Sequence, residues 1–463
     1  MLRESFSGAI IVCRPKMLER RIRWARLKLR AASTVFYFSI FGVNMTVFSS
    51  SLIWFGAGVS IAEIITGTYF APLGFAKGMA AIVIGHILGC ALLFMTGVIG
   101  AKKKMAAMQT TALSFGKIGA KFFGLLNAAQ LLGWTGIMIY DGSLCANTII
   151  NGAKIAGASP AMTQETSLAM THGAMWAALA IGALIVIWIL AGVRNLDKLN
   201  FAAAAALFCL TILLCVKIFG GLFAGADSGA AMADGAAGEG MADQALSFGA
   251  AIELSVAMPL SWLPVISDYT KDAKRPVAVS LAAAVVYFLV SVWMYAIGMG
   301  AAIVAGESSI DIVMLKTGLG IAALVIVVLS TVTTTYLDAY SAGVSSQSVH
   351  SKINVKAAAI IVAVLGTVGA LLFNMDNITD FLYLIGSVFA PMTAILLADF
   401  FVCKNDSSAK KIDAARIVVW ILGFALYRLF MRFDFVFGCT LPAMAATFVL
   451  ALAAGRLSGQ ARQ

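Results

Sequence analysis

The chain has 463 residues, 61% of them hydrophobic and only 12% charged, where a soluble domain averages about 25% charged; a soluble globular protein is excluded and a polytopic membrane protein indicated. The formal net charge of +11 would point to nucleic acid in a soluble protein, but in a membrane protein it reads as loop charge on the cytoplasmic side, with no nucleic acid partner. Seven cysteines scattered through apolar runs, with no CxxC pair, leave neither a zinc site nor a disulfide framework, and no nucleotide-binding loop or catalytic triad is present, so neither an ATP-driven pump nor an enzyme is expected.

Residues 1–50 form a basic arm, densest in RRIRWARLKLR from Arg20 to Arg30. Two readings stand: an amphipathic arm on anionic lipid, or a true start at Met45 with the arm upstream of it, the second being preferred. The first span covers about 51–72. Its stretch Leu52–Gly74, LIWFGAGVSIAEIITGTYFAPLG, is long enough to cross a bilayer, yet it carries Gly56, Gly58 and, near its centre, Glu63. A carboxylate at mid-bilayer depth costs roughly 2.5–3.5 kcal/mol on the insertion scale and so faces a cavity. A glycine-interrupted span with a polar centre is the broken-helix pattern of secondary transporters.

Eleven further spans follow by hydropathy, at about 78–100, 118–141, 173–193, 199–220, 250–268, 277–301, 319–345, 356–374, 380–402, 413–430 and 434–454. The Gly/Ala/Asp-rich stretch 221–249 is a loop. With the N-terminus in the cytoplasm, only Lys77, Lys154, Lys217, Lys316, Arg428 and Arg432 of the 33 Lys and Arg fall outside. That asymmetry supports the count of twelve and places both termini in the cytoplasm of an inner-membrane protein.

Span six supplies a second break. Pro259 and Pro264 flank Leu-Ser-Trp-Leu, which contains Ser261 and Trp262, and proline removes a backbone donor and clashes with the preceding turn. Breaks in spans one and six are what an inverted repeat of five plus five spans predicts, with spans eleven and twelve outside it. Other polar groups fall at similar depth. Gln130 and Trp134 share a face of span three; the indole can stack on a planar heterocycle while the amide reads its edge. Ser330, Thr333 and Thr334 share a face of span eight and either coordinate a hard cation or bond back to their own helix. Asp338, further toward the cytoplasm, reads as a gate or proton relay. Glu253 and Asp399 read as interfacial groups, and His86 as a packed histidine rather than a relay.

WFGAGVSIAEIITG, GAKKKMAAMQTTALSFGK, LLNAAQLLGWTGIMI, MPLSWLPVISDYTKDAKRP and FAPMTAILLADFFV together resemble the nucleobase–cation symporter family one, with the CytX branch of hydroxymethylpyrimidine transporters as the nearest match, from about residue 50 to the C-terminus. The resemblance implies an all-α LeuT-like fold of twelve helices. It would comprise a transporter core at 51–402 (repeats about 51–220 and 250–402, joined by 221–249), two accessory helices at 413–454 and a tail at 455–463. It implies uptake of a pyrimidine, hydroxymethylpyrimidine for thiamine synthesis, with Na⁺ or H⁺ by alternating access, in a monomer without organic cofactor. A cytosine or purine permease is the alternative, and a non-transporting sensor a remote one. By motif, Gly56, Val59, Thr333 and Thr334 match the family's cation site, and Ser60, Gln130, Trp134, Ser261 and Ser330 its solute contacts. Trp262 stands near the position of an aromatic that is Pro259 here, and Ser330 replaces an amide. Glu63 is not a family feature; a carboxylate there suits the donor edge of an aminopyrimidine.

Overall fold

The computed structural model describes residues 45–156, 164–191, 193–224, 246–305, 321–375 and 377–460. The arm before Met45, and with it the question of the start, lies outside the described residues, as does most of the loop 221–249. The described chain is helical, and its one β contact is an isolated bridge between Met45 and Ala273.

Span one is two helices, α1 (Val47–Gly58) and α2 (Ile61–Thr68), followed by a short 3₁₀ turn. Then come α3 (Phe75–Lys103), a single turn α4 (Ala107–Thr110), α5 (Ala112–Ala156), α6 (Gln164–Ala191) and α7 (Val193–Ala224). Span six is again two pieces, α8 (Phe248–Ser261) and α9 (Ile266–Thr270). The chain continues as α10 (Pro276–Ala305), α11 (Ile321–Val349), α12 (Val355–Leu372), α13 (Ile378–Leu397), α14 (Ala414–Phe430) and α15 (Thr440–Gln460). All twelve expected spans therefore have a helix in place. Among the described residues seven helices are long and apolar enough to cross a membrane, and α1 with the segment Ile61–Leu73, bent by 50°, makes an eighth. The apolar stretches of the other four, Ala205–Gly220, Phe248–Ser261, Ala414–Phe430 and Thr440–Arg456, are shorter than 18 residues.

Local sequence explains the breaks. Thr46 caps α1 by accepting from the Ser49 amide (3.1 Å) and Ser60 caps α2 by accepting from the Ala62 amide (3.2 Å), so each half of span one has its own start signal. The amide of Ser60 turns to the Gly58 carbonyl (3.0 Å) rather than to that of Gly56, its partner in a continuous helix. In span six the helix runs past Pro259 and unwinds only at Trp262–Val265. Pro259 is therefore not a boundary of the break, contrary to the symmetric reading of the two prolines. The carbonyl it leaves without an amide donor is that of Ser255, one turn earlier, and the helix continues through Pro259 to Ser261. Gly116, at φ +75°, puts a kink near the start of α5, a conformation that costs glycine nothing.

Two groups of helices emerge from the packing. α10 lies against α1, α2 and α3, and α3 also carries α8 and α9; α5, α6, α11 and α12 pack on one another. Close approach in the first group depends on small residues. A side chain on Gly67 would meet the Tyr295 carbonyl oxygen at 2.3 Å, and one on Gly298 the Ile64 carbonyl oxygen at 1.9 Å. α14 and α15 pack on each other and on α13. Glu253 and Asp399 are buried within protein: Glu253 accepts from the Tyr427 hydroxyl (2.9 Å) and the Thr440 amide (2.8 Å), and Asp399 pairs with buried Arg416. The sequence reading as surface-facing interfacial groups misses these partners, which lie across the fold on α14 and at the start of α15.

Candidate functional site

The two breaks open on one cavity. It is narrow, about 20 Å³, and it is lined by Ala57, Ser60, Ala62 and Glu63 of span one, Leu131, Trp134 and Met138 of α5, Met258, Ser261 and Trp262 of span six, and Thr334 and Asp338 of α11. Unwound backbone is stable at such depth only where it is buried or lines a cavity. Seven of the residues singled out in the sequence meet here: Ser60, Glu63, Trp134, Ser261, Trp262, Thr334 and Asp338. A larger cavity of about 340 Å³, near Glu253, Tyr383 and Arg432, touches neither break and is set apart from this site.

The cavity has an aromatic side and a polar side. Trp134 is steadied edge-on by Phe381 of α13 (5.4 Å between ring centres), and Trp262 by Trp54 (5.5 Å). Edge contacts leave a ring face free for stacking. Gln130 is buried one turn from Trp134; its amide nitrogen donates to Asn127 (2.6 Å) and reaches the Ser261 carbonyl at 3.5 Å, while its oxygen has no partner. Gln130 lies beside the cavity rather than in its wall. Glu63 is 1% exposed; the Tyr287 hydroxyl donates to its Oε1 (2.6 Å) and the Ser291 hydroxyl to its Oε2 (2.6 Å). A carboxylate offers about four lone-pair positions, so Glu63 can still accept on the cavity side.

The hydroxyls of α11 divide. Ser330 donates to the Val327 carbonyl (3.1 Å) and Thr333 to the carbonyls of Leu329 (2.8 Å) and Ser330 (3.2 Å): both bond back to their own helix. Thr334 faces the cavity, and its buried hydroxyl has no partner. Asp338, one turn on, is 4% exposed and has neither hydrogen bond nor ion pair among the described residues. Gly56 and Val59 belong to the segment ending α1, next to Ala57 in the cavity wall, and α1 touches α11. Ser330, Thr333, Gly56 and Val59 do not themselves line the cavity.

Two contacts bridge the α9 side of the cavity. The Tyr269 hydroxyl meets Ser341 Oγ at 2.9 Å, and the Met45 amide donates to the Asp272 carbonyl (3.2 Å). Sequence reasoning passed over Tyr287, Ser291, Met138 and Met258. The first two were open to it: they are polar, four residues apart and on one face of an otherwise apolar span.

The family model for permeases of cytosine/purines, uracil, thiamine and allantoin matches residues 44–451. No curated protein matches the chain. Among solved structures, Mhp1, a nucleobase–cation symport family transporter in a closed conformation with bromovinylhydantoin bound, is 19% identical with a TM-score of 0.70, covering 92% of this chain and 94% of that one. A substrate-bound, outward-open Na⁺-coupled sialic acid symporter is 12% identical at a TM-score of 0.63, over 92% of this chain and 95% of that one. MhsT in complex with L-phenylalanine is 15% identical at 0.59, over 88% and 99%. These likenesses establish the fold as LeuT-like.

Proposed function

Since the chain belongs to the family of permeases for cytosine/purines, uracil, thiamine and allantoin, we propose that it is a secondary active transporter importing a pyrimidine, hydroxymethylpyrimidine, with Na⁺ or H⁺. The family is one of transporters, so the chain is a multi-pass membrane carrier and not an enzyme. The observation that carries the finer reading is the wall of the central cavity. Trp134 and Trp262 offer ring faces to a flat heterocycle, Ser60 and Ser261 offer hydroxyls, and Glu63 offers a carboxylate. A carboxylate accepts from the exocyclic amine of an aminopyrimidine, as acids do with cytosine N4.

In this reading Gly56, Val59, Thr333 and Thr334 hold the cation where Na⁺ is used. The partnerless hydroxyl of Thr334 and the Gly56 carbonyl freed by the turn of Ser60 support the assignment. Thr333 would have to give up its bonds to its own helix. Asp338 serves the gate below the cavity. The group α1, α2, α3, α8, α9 and α10 would rock against α5, α6, α11 and α12, exposing the breaks to one side at a time. The basic loops support a reading in which both termini lie on the cytoplasmic side of the inner membrane.

A cytosine or purine permease is the second reading, favoured by the breadth of the family description. A thermal-shift screen of the purified protein against pyrimidines, purines and hydantoins separates them. Stabilisation by hydroxymethylpyrimidine above all others is expected; stabilisation by cytosine or a purine alone would replace the reading.

A further inference from the structure

Behind the cavity runs a chain of hydrogen bonds that solute binding leaves unexplained. Glu63 Oε2 meets Ser291 Oγ at 2.6 Å, and Ser291 Oγ meets His86 Nε2 at 2.6 Å. His86 Nδ1 meets Ser255 Oγ at 2.7 Å and the Ile82 carbonyl at 3.0 Å, and the Ser255 hydroxyl donates to that same carbonyl (2.7 Å). All four side chains are buried. The chain crosses α2, α10, α3 and α8; one end opens on the cavity at Glu63 and the other is closed inside the α3–α8 seam.

Counting donors sets how many protons the chain holds. Because Ser255 gives its hydrogen to Ile82, its oxygen has only lone pairs to offer Nδ1, so Nδ1 carries a hydrogen. Two arrangements then satisfy every contact. In one, Nε2–H donates to Ser291, Ser291 donates to Glu63, and an imidazolium balances a carboxylate. In the other, a protonated Glu63 donates to Ser291, Ser291 donates to bare Nε2, and both end groups are neutral. They contain the same protons and differ by a shift of two hydrogens along the chain. Remove one proton, and both Nε2 and the carboxylate need the single hydrogen of Ser291, leaving one 2.6 Å contact without a hydrogen. The other neutral tautomer turns bare Nδ1 toward the Ile82 carbonyl and leaves the carboxylate's charge without a counter-charge.

No charged partner stands by to relieve that state. The other titratable groups around the chain are Tyr287 and Tyr295 of α10, Cys90 of α3 and, across the cavity, Asp338 of α11. Glu253, two residues before Ser255, points instead to Tyr427 and Thr440. The ion pairs among the described residues are Lys103–Asp406, Lys410–Asp413 and Arg416–Asp399, none of which involves the chain.

We infer that Glu63, Ser291 and His86 form a proton-loading site that takes up one proton in this conformation and returns it to water when the carrier opens to the other side. The coupling to transport rests on the reading of the cavity as the solute site. A solute whose N–H edge donates to Glu63 favours the carboxylate, so the proton moves to His86 and stays in the protein. By reciprocity, whatever factor bound solute applies to proton affinity, the bound proton applies to solute affinity.

The test needs no solute at first. In a His172→Gln, His350→Gln background, His86 is the one remaining histidine. Its ¹⁵N signals report its protonation, and infrared difference spectra between pH 5 and 9 report the carboxylic acid of Glu63. One proton is expected to leave in a single step. Glu63→Gln should move the His86 titration, and His86→Gln the Glu63 titration, by at least ~tenfold in proton concentration. Ser291→Ala, which cuts the chain and leaves both ends, should separate the two. No protonation change at either group, or a titration at one that ignores removal of the other, overturns the inference. In proteoliposomes, hydroxymethylpyrimidine should then carry protons inward in wild type and not in Glu63→Gln. Coupled titration in a protein that does not bind hydroxymethylpyrimidine would leave the proton site standing and remove the solute assignment.

Discussion

Two polar regions flank the cavity, and they are built in opposite ways. The chain Glu63–Ser291–His86–Ser255 is saturated: each polar atom has a partner at 2.6–3.0 Å. The row on α11 is not. Thr331, Thr334 and Thr335 have buried hydroxyls without partners, and Asp338 has none among the described residues. An unmade buried hydrogen bond costs about 1–3 kcal/mol, so a saturated network is rigid and an unsaturated one is completed by something that binds. The first region reads as a fixed relay; the second reads as a receptor for a cation or solute.

Substitutions can break that contrast, the largest effect first. Glu63→Gln should reduce uptake by about 10- to 150-fold if a charge-assisted contact worth 1.5–3 kcal/mol is lost, and further toward background with loss of the proton. Transport of radiolabelled hydroxymethylpyrimidine, with surface expression measured in parallel, gives the answer, and normal uptake would remove Glu63 from the mechanism. Thr334→Val keeps the shape and deletes only a hydroxyl that has no partner. We expect an unchanged melting temperature and a Na⁺ half-saturation raised about tenfold, more if Thr333→Ala is added. If the parent protein is indifferent to Na⁺, coupling falls to the proton chain alone. Ser291→Ala strips a hydrogen bond from both Glu63 and His86 and should cost about 1–3 kcal/mol, seen as a lowered unfolding midpoint. Ser330→Ala removes a hydroxyl already bonded to its own helix and should change solute affinity less than about twofold; a larger loss would put Ser330 back among the solute contacts.

Much of the architecture was legible in the sequence because it is written in local chemistry. Glycines at 56 and 58 and prolines at 259 and 264 mark breaks wherever they sit in a span, and loop lysines and arginines mark the spans between them. Even so, the break in span six begins after Pro259, because a proline's cost falls on the turn before it. The cavity wall was half legible: periodicity puts Trp134 or Thr334 on a face, and the resemblance supplied the meaning of that face. The relay was not legible. His86 and Ser291 are 205 residues apart, and nothing near His86 in sequence tells a packed histidine from a connected one. Nor does spacing decide whether Thr333 or Thr334 turns back to its helix, since that is a choice of rotamer set by packing on α1 and α5.

Counterflow tests the account most directly, because it needs a solute site that faces both sides in turn and no gradient to drive it. Proteoliposomes loaded with unlabelled hydroxymethylpyrimidine should accumulate the labelled compound transiently above its external concentration, and Trp134→Ala should abolish the overshoot. Absence of any overshoot with hydroxymethylpyrimidine, from protein shown to be folded, would contradict the solute assignment; its absence with every pyrimidine, purine and hydantoin would contradict the carrier itself.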